Sequence, residues 1–575
     1  MSSTNRGKRS RKKQGHPLWV VAAVLVLVIG IAVSGVLIKR YSPSKDQADL
    51  KQHFGLTADT EVALVANGVL LEQKGLWQED RVYLPYQFVY QLDQRYYWDD
   101  AANLFLYTDG EAVTRVNATE AVIVRGDAQE QVAYTPVLLL GGQPYVALDF
   151  VLERSNVTAT VAKEPYRAVL TVYDGTEQTP AVAEDGGSVR VLTGIKSEVL
   201  EKLSDGAVVS VLDQEIEGWT KVATESGCIG YIENSRLTIG EKTARVRDFT
   251  PILHRQKTLG APANVAWHQV TNPTANDDIL NMLSASKGVN VVSPTWFSIA
   301  DHEGNITSIA DTTYVERVHR EGKQVWGLVD NFNSEVNTKT VLEATSSRNQ
   351  LTNQLIAAAL QYGLDGINID FELLQEDTIP AYLQFLRELS IKCANNQLIL
   401  SVDLPVPTYS TYYNRRAIAE VVDYAMLMAY DEHYAGDTTA GSVASFPFVK
   451  EAVEATLREI PAEKLVLCIP FYTRVWTETA GADGKTAVTS SAIGMEAADA
   501  LLTENSVTPI WLEDMQQHYG EYVTDDGVNK IWLEDAASIE AKLKLISEHG
   551  LAGVAEWRLG FESDSIWDTV IKYVN

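Results

Sequence analysis

Cysteine is scarce: Cys228, Cys393 and Cys468 are the three in a chain of 575 residues. An exported protein stapled by disulfides carries more, so stability has to come from packed cores. All three read as small buried apolar residues, and their wide separation forms no metal-like or redox-like pair. Histidine is absent between His53 and His254, and no metal-type cluster occurs anywhere, so neither metal nor cofactor is required. Positive charge is also short, with 48 Lys and Arg against 76 Asp and Glu, a formal net charge of −28. Residues 1–40 hold eight bases and no acid, so the rest of the chain stands at −36. Such a body repels nucleic acid, and equally an anionic membrane or wall polymer. Binding to a large polymer would rest on stacking and hydrogen bonds. Low-complexity and collagen-like stretches are missing; 46% apolar and 22% charged residues describe a globular chain long enough for several domains.

What is present begins with a basic cluster, Arg6, Lys8, Arg9, Arg11, Lys12 and Lys13, ahead of an uncharged run from about Pro17 to Ile38. Roughly 20 apolar residues cross a bilayer as a helix. The charge asymmetry places residues 1–16 in the cytoplasm as a basic tail, 17–39 in the membrane as a signal anchor, and the remainder outside. A cleaved signal peptide with Ala32 and Ser34 at the cleavage site is the alternative, giving a secreted protein. The apolar run continues past that point, which favours a retained anchor.

Residues 40–60 read as a polar linker. From 61 to 176 short alternating strands form a β-rich stalk, with a weak repeat in which Tyr83–Val89 (YLPYQFV) matches Tyr145–Val151 (YVALDFV). The arrangement resembles the stalk domain named after the amino terminus of copper amine oxidases, without implying copper. Residues 186–240 resemble a bacterial SH3-like barrel, on Gly218-Trp219 opening one strand and Gly227-Cys228-Ile229-Gly230-Tyr231 the next. That resemblance implies binding to cell-wall peptide or glycan; a rigid spacer with Trp219 as filler is the alternative.

From 250 to 575 β-rich runs alternate with helical ones. The predicted strands are 264–270, 288–294, 324–329, 364–372, 398–405, 422–430, 464–471 and 550–559. Eight such units point to a (β/α)8 TIM barrel, with an insertion between the seventh and eighth. No glycine-rich phosphate turn follows the first strand, which weighs against an open doubly wound sheet. The fold class is therefore multidomain: transmembrane helix, stalk, SH3-like barrel and C-terminal TIM barrel.

In the fourth strand, Asp365 to Glu372 reads DGINIDFE. Period-two alternation puts Gly366, Asn368, Asp370 and Glu372 on one face and Ile367, Ile369 and Phe371 on the other. Helices cover the apolar face, so the polar row points into the barrel with Glu372 nearest the carboxyl end, where such barrels carry active sites. Three polar groups stacked in a barrel interior are costly unless hydrogen-bonded, so a row with no functional role is a poor reading. Asp365, of opposite parity, reads as a turn residue.

DGINIDFE is similar to the DGxDxDxE signature of glycoside hydrolase family 18, the chitinases and endo-N-acetylglucosaminidases, and most like the branch with spore-cortex-lytic enzymes. Met428-Ala429-Tyr430-Asp431, Trp557 in AEWRLG, and IWLEDAASIEAK (531–542) carry the same resemblance over roughly 255–575. It implies a retaining glycosidase acting on N-acetylglucosamine polysaccharide, peptidoglycan or chitin, in which the substrate's 2-acetamido oxygen is the nucleophile. By matching position Glu372 would be the general acid and then base, Asp370 would orient the acetamide, and Tyr430 would donate its hydroxyl to the acetamide oxygen. Met428 and Asp431 would line the site and Trp557 would stack beneath the sugar. Asn368 stands where the family has an Asp sharing a proton with the Asp370 equivalent; it can still hydrogen-bond Asp370. Trp296, just past the second strand, could be presented to a sugar or pack in the core. Trp267 and Trp326 read as core, and His268 and His433 as packing residues that could line the cleft. Glu372 argues against a catalytically inactive glycan-binding protein or a purely structural envelope protein. Anchor, stalk and SH3-like module would hold the barrel at the cell wall, which favours peptidoglycan.

Overall fold

A computed structural model describes residues 18–480 and 486–574; the basic tail expected at 1–16 lies outside them. Helix α1, Leu18–Tyr41, is about 36 Å long at 1.5 Å per residue, enough for the roughly 30 Å hydrocarbon core of a bilayer. Among the described residues it is the one helix long and apolar enough to cross a membrane, and a signal sequence passes the same test.

The described residues form two compact units, one within 1–88 and 145–249 and the other within 89–144 and 250–575. In the first, residues 40–60 are not the expected linker. Asp49 caps a short helix at Leu50–His53, and Phe54 and Leu56 bury themselves with Leu50 packed beside them, because large apolar side chains in a polar stretch gain from packing. Each copy of the sequence repeat is a strand running into a helix, and the two strands pair antiparallel, with Tyr145 opposite Pro85 and Ala147 opposite Tyr83. Ala63 and Val65 share one apolar cluster with Ala181, Val189, Val209 and Val222. The regions expected as separate stalk and SH3-like domains thus have a common core.

The second unit is built on a closed barrel. Its strands are β1 Ala263–His268, β2 Val291–Ile299, β3 Gln324–Asp330, β4 Gly366–Asp370, β5 Ile399–Pro405, β6 Tyr424–Met428, β7 Leu465–Pro470 and β8 Gly553–Trp557. All pair in parallel with their neighbours, and β1 pairs with both β2 and β8, which closes the ring. Each lies within or beside the run predicted for it. Helix α2, Thr345–Tyr362, stops at Gly363, whose φ of 75° is a left-handed cap open to glycine, and the chain turns directly into β4. At that turn the Asp365 carboxylate accepts hydrogen bonds from Val325 N–H and His319, the structural part expected of it.

The expected insertion between β7 and β8 is a five-stranded antiparallel sheet, including Tyr472–Ala480, Gln517–Thr524 and Gly527–Leu533, with a helix at Met495–Glu504. The remaining component was not expected. A five-stranded sheet running from Tyr96–Asp99 to Ala128–Gln131, inside the stretch assigned to the stalk, belongs to this unit. It packs on α2 and on α3, Ile379–Asn395. Tyr97 and Leu106 join the barrel's outer core, the Asp99 carboxylate accepts from Thr345 N–H at 2.6 Å, and Gln384 donates to Thr108 at 2.9 Å. Beneath this contact Arg348 and Glu388 form a buried ion pair at 3.2 Å.

Candidate active site

Strand parity decides what enters the barrel. Ile367, Ile369 and Phe371 pack in the outer core against the helices, whereas the interior is filled by Trp267, Trp326, Leu328, Tyr424 and Met426, among others. Gly366 faces inward; a side chain there would meet the Trp326 ring at 2.7 Å. Above it come Asn368 and Asp370, both buried. Glu372 lies two residues past the end of β4, beyond the ladder expected to include it.

Asn331 replaces the missing ladder. Its amide oxygen accepts from Glu372 N–H at 2.9 Å and its amide nitrogen donates to Glu372 C=O at 3.0 Å. Thr338 accepts a further hydrogen bond from the same nitrogen, which fixes the amide. Tyr412 donates to Leu374 C=O at 2.7 Å, so the segment carrying Glu372 is tied on both sides. Leu373 between them has φ 54° and is 88% exposed at the lip of the cavity.

The Glu372 side chain stands between two recesses. One, of about 340 Å³, is walled by Met428, Tyr430, Asp431 and the phenolic or apolar side chains of Val406, Tyr409, Tyr412, Tyr413 and Tyr434. The other, about 160 Å³, holds Asp370, Asp403, Tyr430, Asp431, Tyr472, Phe332 and Trp557. The two linings contain the carboxylates of Asp370, Glu372, Asp403 and Asp431 and no Lys or Arg. Trp557 meets Trp267 edge to face at 5.9 Å, giving the second recess an aromatic floor.

Low dielectric and like charge act together on these acids. Burial, then Asp431 and Asp330, raise the Glu372 carboxyl above its ordinary value. Asp370 is pushed well above the carboxylate range by burial, then by Asp403, Glu372 and Asp330. Asp403 is raised likewise by burial, opposed by the hydrogen bond from Asn368. Asp431, with φ 58°, accepts a hydrogen bond from Tyr472; burial nevertheless raises it.

Two expectations need correction. Asn368 does not hydrogen-bond Asp370: its amide oxygen accepts from Trp267 Nε1 and Ser293 Oγ, which turns its nitrogen toward Asp403 Oδ1 at 2.8 Å. Trp296 is not brought to the site. It is 2% exposed, donates to Asn276 at 2.8 Å and meets Tyr314 edge to face, because its position on β2 faces the helices. His268 is buried against Tyr314, and burial lowers it to about 4; His433 pairs with Asp437. Neither lines the two recesses. Asp403, Tyr472, Asn331 and Phe332 were not foreseen. Asp403 was legible, since Ser401 and Asp403 break the apolar run LILSVDLP with the inward parity of Asn368 and Asp370.

Residues 320–562 match the sequence pattern of Glycosyl hydrolases family 18. That segment is a family 18 glycosidase domain. A cortical fragment-lytic enzyme of Bacillus subtilis (strain 168) is 30% identical to it over 237 residues, covering 40% of this chain and 54% of that protein. An uncharacterized glycosylase of the same organism, YvbX, is 25% identical over 298 residues, covering 49% and 84%. In fold the family 18 domain is like the Bacillus cereus spore cortex-lytic enzyme SleL, with a TM-score of 0.50, 20% identity, and 59% and 78% of the two chains covered.

Proposed function

We propose that the family 18 domain cleaves β-linked N-acetylglucosamine glycan, peptidoglycan in preference to chitin, with retention and with the substrate's acetamide as nucleophile. The observation that carries this reading is the convergence of Glu372, Asp370, Tyr430 and Trp557 on one recess at the carboxyl ends of the strands. Glu372, its pKa raised, delivers a proton to the leaving oxygen and then activates water. Asp370 receives the acetamide N–H, Tyr430 donates to the acetamide oxygen, and Trp557 supports the ring by stacking. Proximity of a nucleophile already bound supplies much of the acceleration. Asp431 and Met428 wall the site. Four carboxylates and no cation in the lining favour an uncharged N-acetylglucosamine, not an anionic sugar, as the residue held over Trp557, and do not separate peptidoglycan from chitin.

Peptidoglycan is favoured by the names of the Bacillus relatives and by α1 as a signal anchor holding the domain outside the membrane. The region 186–240, on its SH3-like sequence, would add contact with the wall. Mass spectrometry of digests of purified peptidoglycan and of chitin oligomers tests this directly. N-acetylglucosamine at the new reducing end of peptidoglycan fragments is expected. Faster release from chitin reverses the substrate order, and binding without turnover on both removes the reading.

Two further results follow from the geometry. Asn331→Ala removes both hydrogen bonds that place Glu372, so kcat should fall roughly 10- to 100-fold with little change in KM, as steady-state kinetics would show. Asp431→Asn removes a negative charge that raises Glu372, so Glu372 ionises at lower pH. The alkaline limb of the pH–kcat profile, where the acid loses its proton, should therefore move to lower pH.

A further inference from the structure

The carboxylate that the family places at position 368 is missing here, yet a second carboxylate stands beside Asp370 from another strand. β4 and β5 are in register with Asn368 opposite Ser401 and Ile369 opposite Val402. One step further sets Asp370 beside Asp403, on strands about 4.8 Å apart and with the same inward parity. Both side chains are buried, 6% and 2% exposed, and both line the recess with Glu372. Asp370 Oδ1 receives no hydrogen bond among the described residues, whereas Asp403 Oδ1 receives the one from Asn368.

The ionisable groups that act on the pair are Asp330 from the end of β3, Glu372 after β4, Tyr430 after β6, Cys468 on β7, and Tyr382 on α3. Asp431 and Tyr472 line the same recess. None is a cation. Two carboxylates so placed resist ionising together and titrate as a unit.

We propose that Asp370 and Asp403 hold one proton between them, so that Asp403, a positioning residue acting through Asp370, serves in place of the carboxylate absent at 368. In the empty site the hydrogen bond from Asn368 favours Asp403 ionised and Asp370 protonated. An acetamide N–H arriving at Asp370 reverses the preference. The proton then leaves the Asp370 carboxyl for Asp403 Oδ2, the pair keeps one negative charge, and nothing is released to solvent. Asp370 is thereby ionised as positive charge develops on the sugar, with no need to deprotonate the site.

The consequence for catalysis rests on the function proposed above; the shared proton does not. Infrared difference spectra of the full chain at pH 7 read it directly through the C=O band of a protonated carboxyl. Asp370→Asn and Asp403→Asn should each shift this band, because each leaves a single carboxyl without the partner that shares its proton, and the double variant should lose it. A band unchanged in Asp403→Asn overturns the proposal. In kinetics, Asp403→Asn should lower kcat about 100-fold. Moving the carboxylate back, with Asn368→Asp and Asp403→Asn together, should recover at least a tenth of wild-type kcat and restore the pH profile. A double variant no better than Asp403→Asn, with both folded by circular dichroism, also overturns it. If Glu372→Gln hydrolyses as wild type does, the proposed function fails, and the infrared comparison still decides the proton pair.

Discussion

Glu372→Gln should leave a folded protein whose release of reducing ends from N-acetylated glycan is reduced about 100- to 10,000-fold. Glutamine keeps the shape of the side chain and leaves the Asn331 hydrogen bonds untouched, because these go to the Glu372 backbone. It has no proton to give the leaving oxygen and no lone pair basic enough to activate water. The same substitution has a sign in stability. A carboxyl raised by burial, Asp431 and Asp330 favours the folded state at low pH and gives up that advantage as pH rises through its unfolded and then its folded pKa. The variant should therefore lose less stability than wild type between pH 4 and pH 8, which thermal unfolding at the two pH values would show. Unchanged hydrolysis would remove Glu372 from its role.

The second large effect is expected far from the chemistry, at Lys542. On helix α4, Ala536–His549, Lys542 donates to both oxygens of Glu534 at 3.0 and 2.7 Å, and both side chains are sealed from solvent. Glu534 also accepts from Gln517 and Ser538, and Gln517 in turn accepts from Ser442. Ser442 receives the N–H groups of His433, through its carbonyl, and of Ala444, through its hydroxyl. The chain of contacts thus runs from α4 through the inserted sheet to the loop that follows Asp431. Lys542→Met strands a buried carboxylate and should cost about 3–5 kcal/mol, measured by calorimetry of the full chain. Adding Glu534→Leu should restore most of it, because two apolar side chains remove the uncompensated charge. No recovery in the double variant would mean that packing, not charge, sets the cost.

The eight barrel strands and the inward row of β4 were readable because period-two alternation and buried apolar runs are local signals. Strand parity pointed to Asp370 and Glu372, and the resemblance to family 18 to Tyr430, Asp431, Met428 and Trp557; the fold brings all six to the two recesses. Partners set across strands were harder. Asn368 was expected to meet Asp370, but Trp267 and Ser293, 101 and 75 residues away in sequence, occupy its oxygen and turn its nitrogen to Asp403. Trp296 failed because β2 continues to Ile299, so a residue expected in a loop is still on a strand and faces the helices. Phe54 and Leu56 gave the supposed linker a buried anchor that its overall polarity hid. The five strands at 96–131 alternate like any stalk strand. Nothing local says that their apolar face is completed by helices more than 200 residues later.

That distance has a consequence in time. Tyr97, Asp99, Leu106 and Thr108 are made before the α2 and α3 residues that cover them, Thr345 and Gln384 among these. At 5–20 residues per second the wait is roughly 12–50 s. Throughout it the early sheet has one apolar face open and cannot complete its core. Long-range closure of this kind slows folding and leaves a strand edge available to a neighbouring chain. The open face of this early sheet is therefore closed only once α2 and α3, through Asn395, have been made.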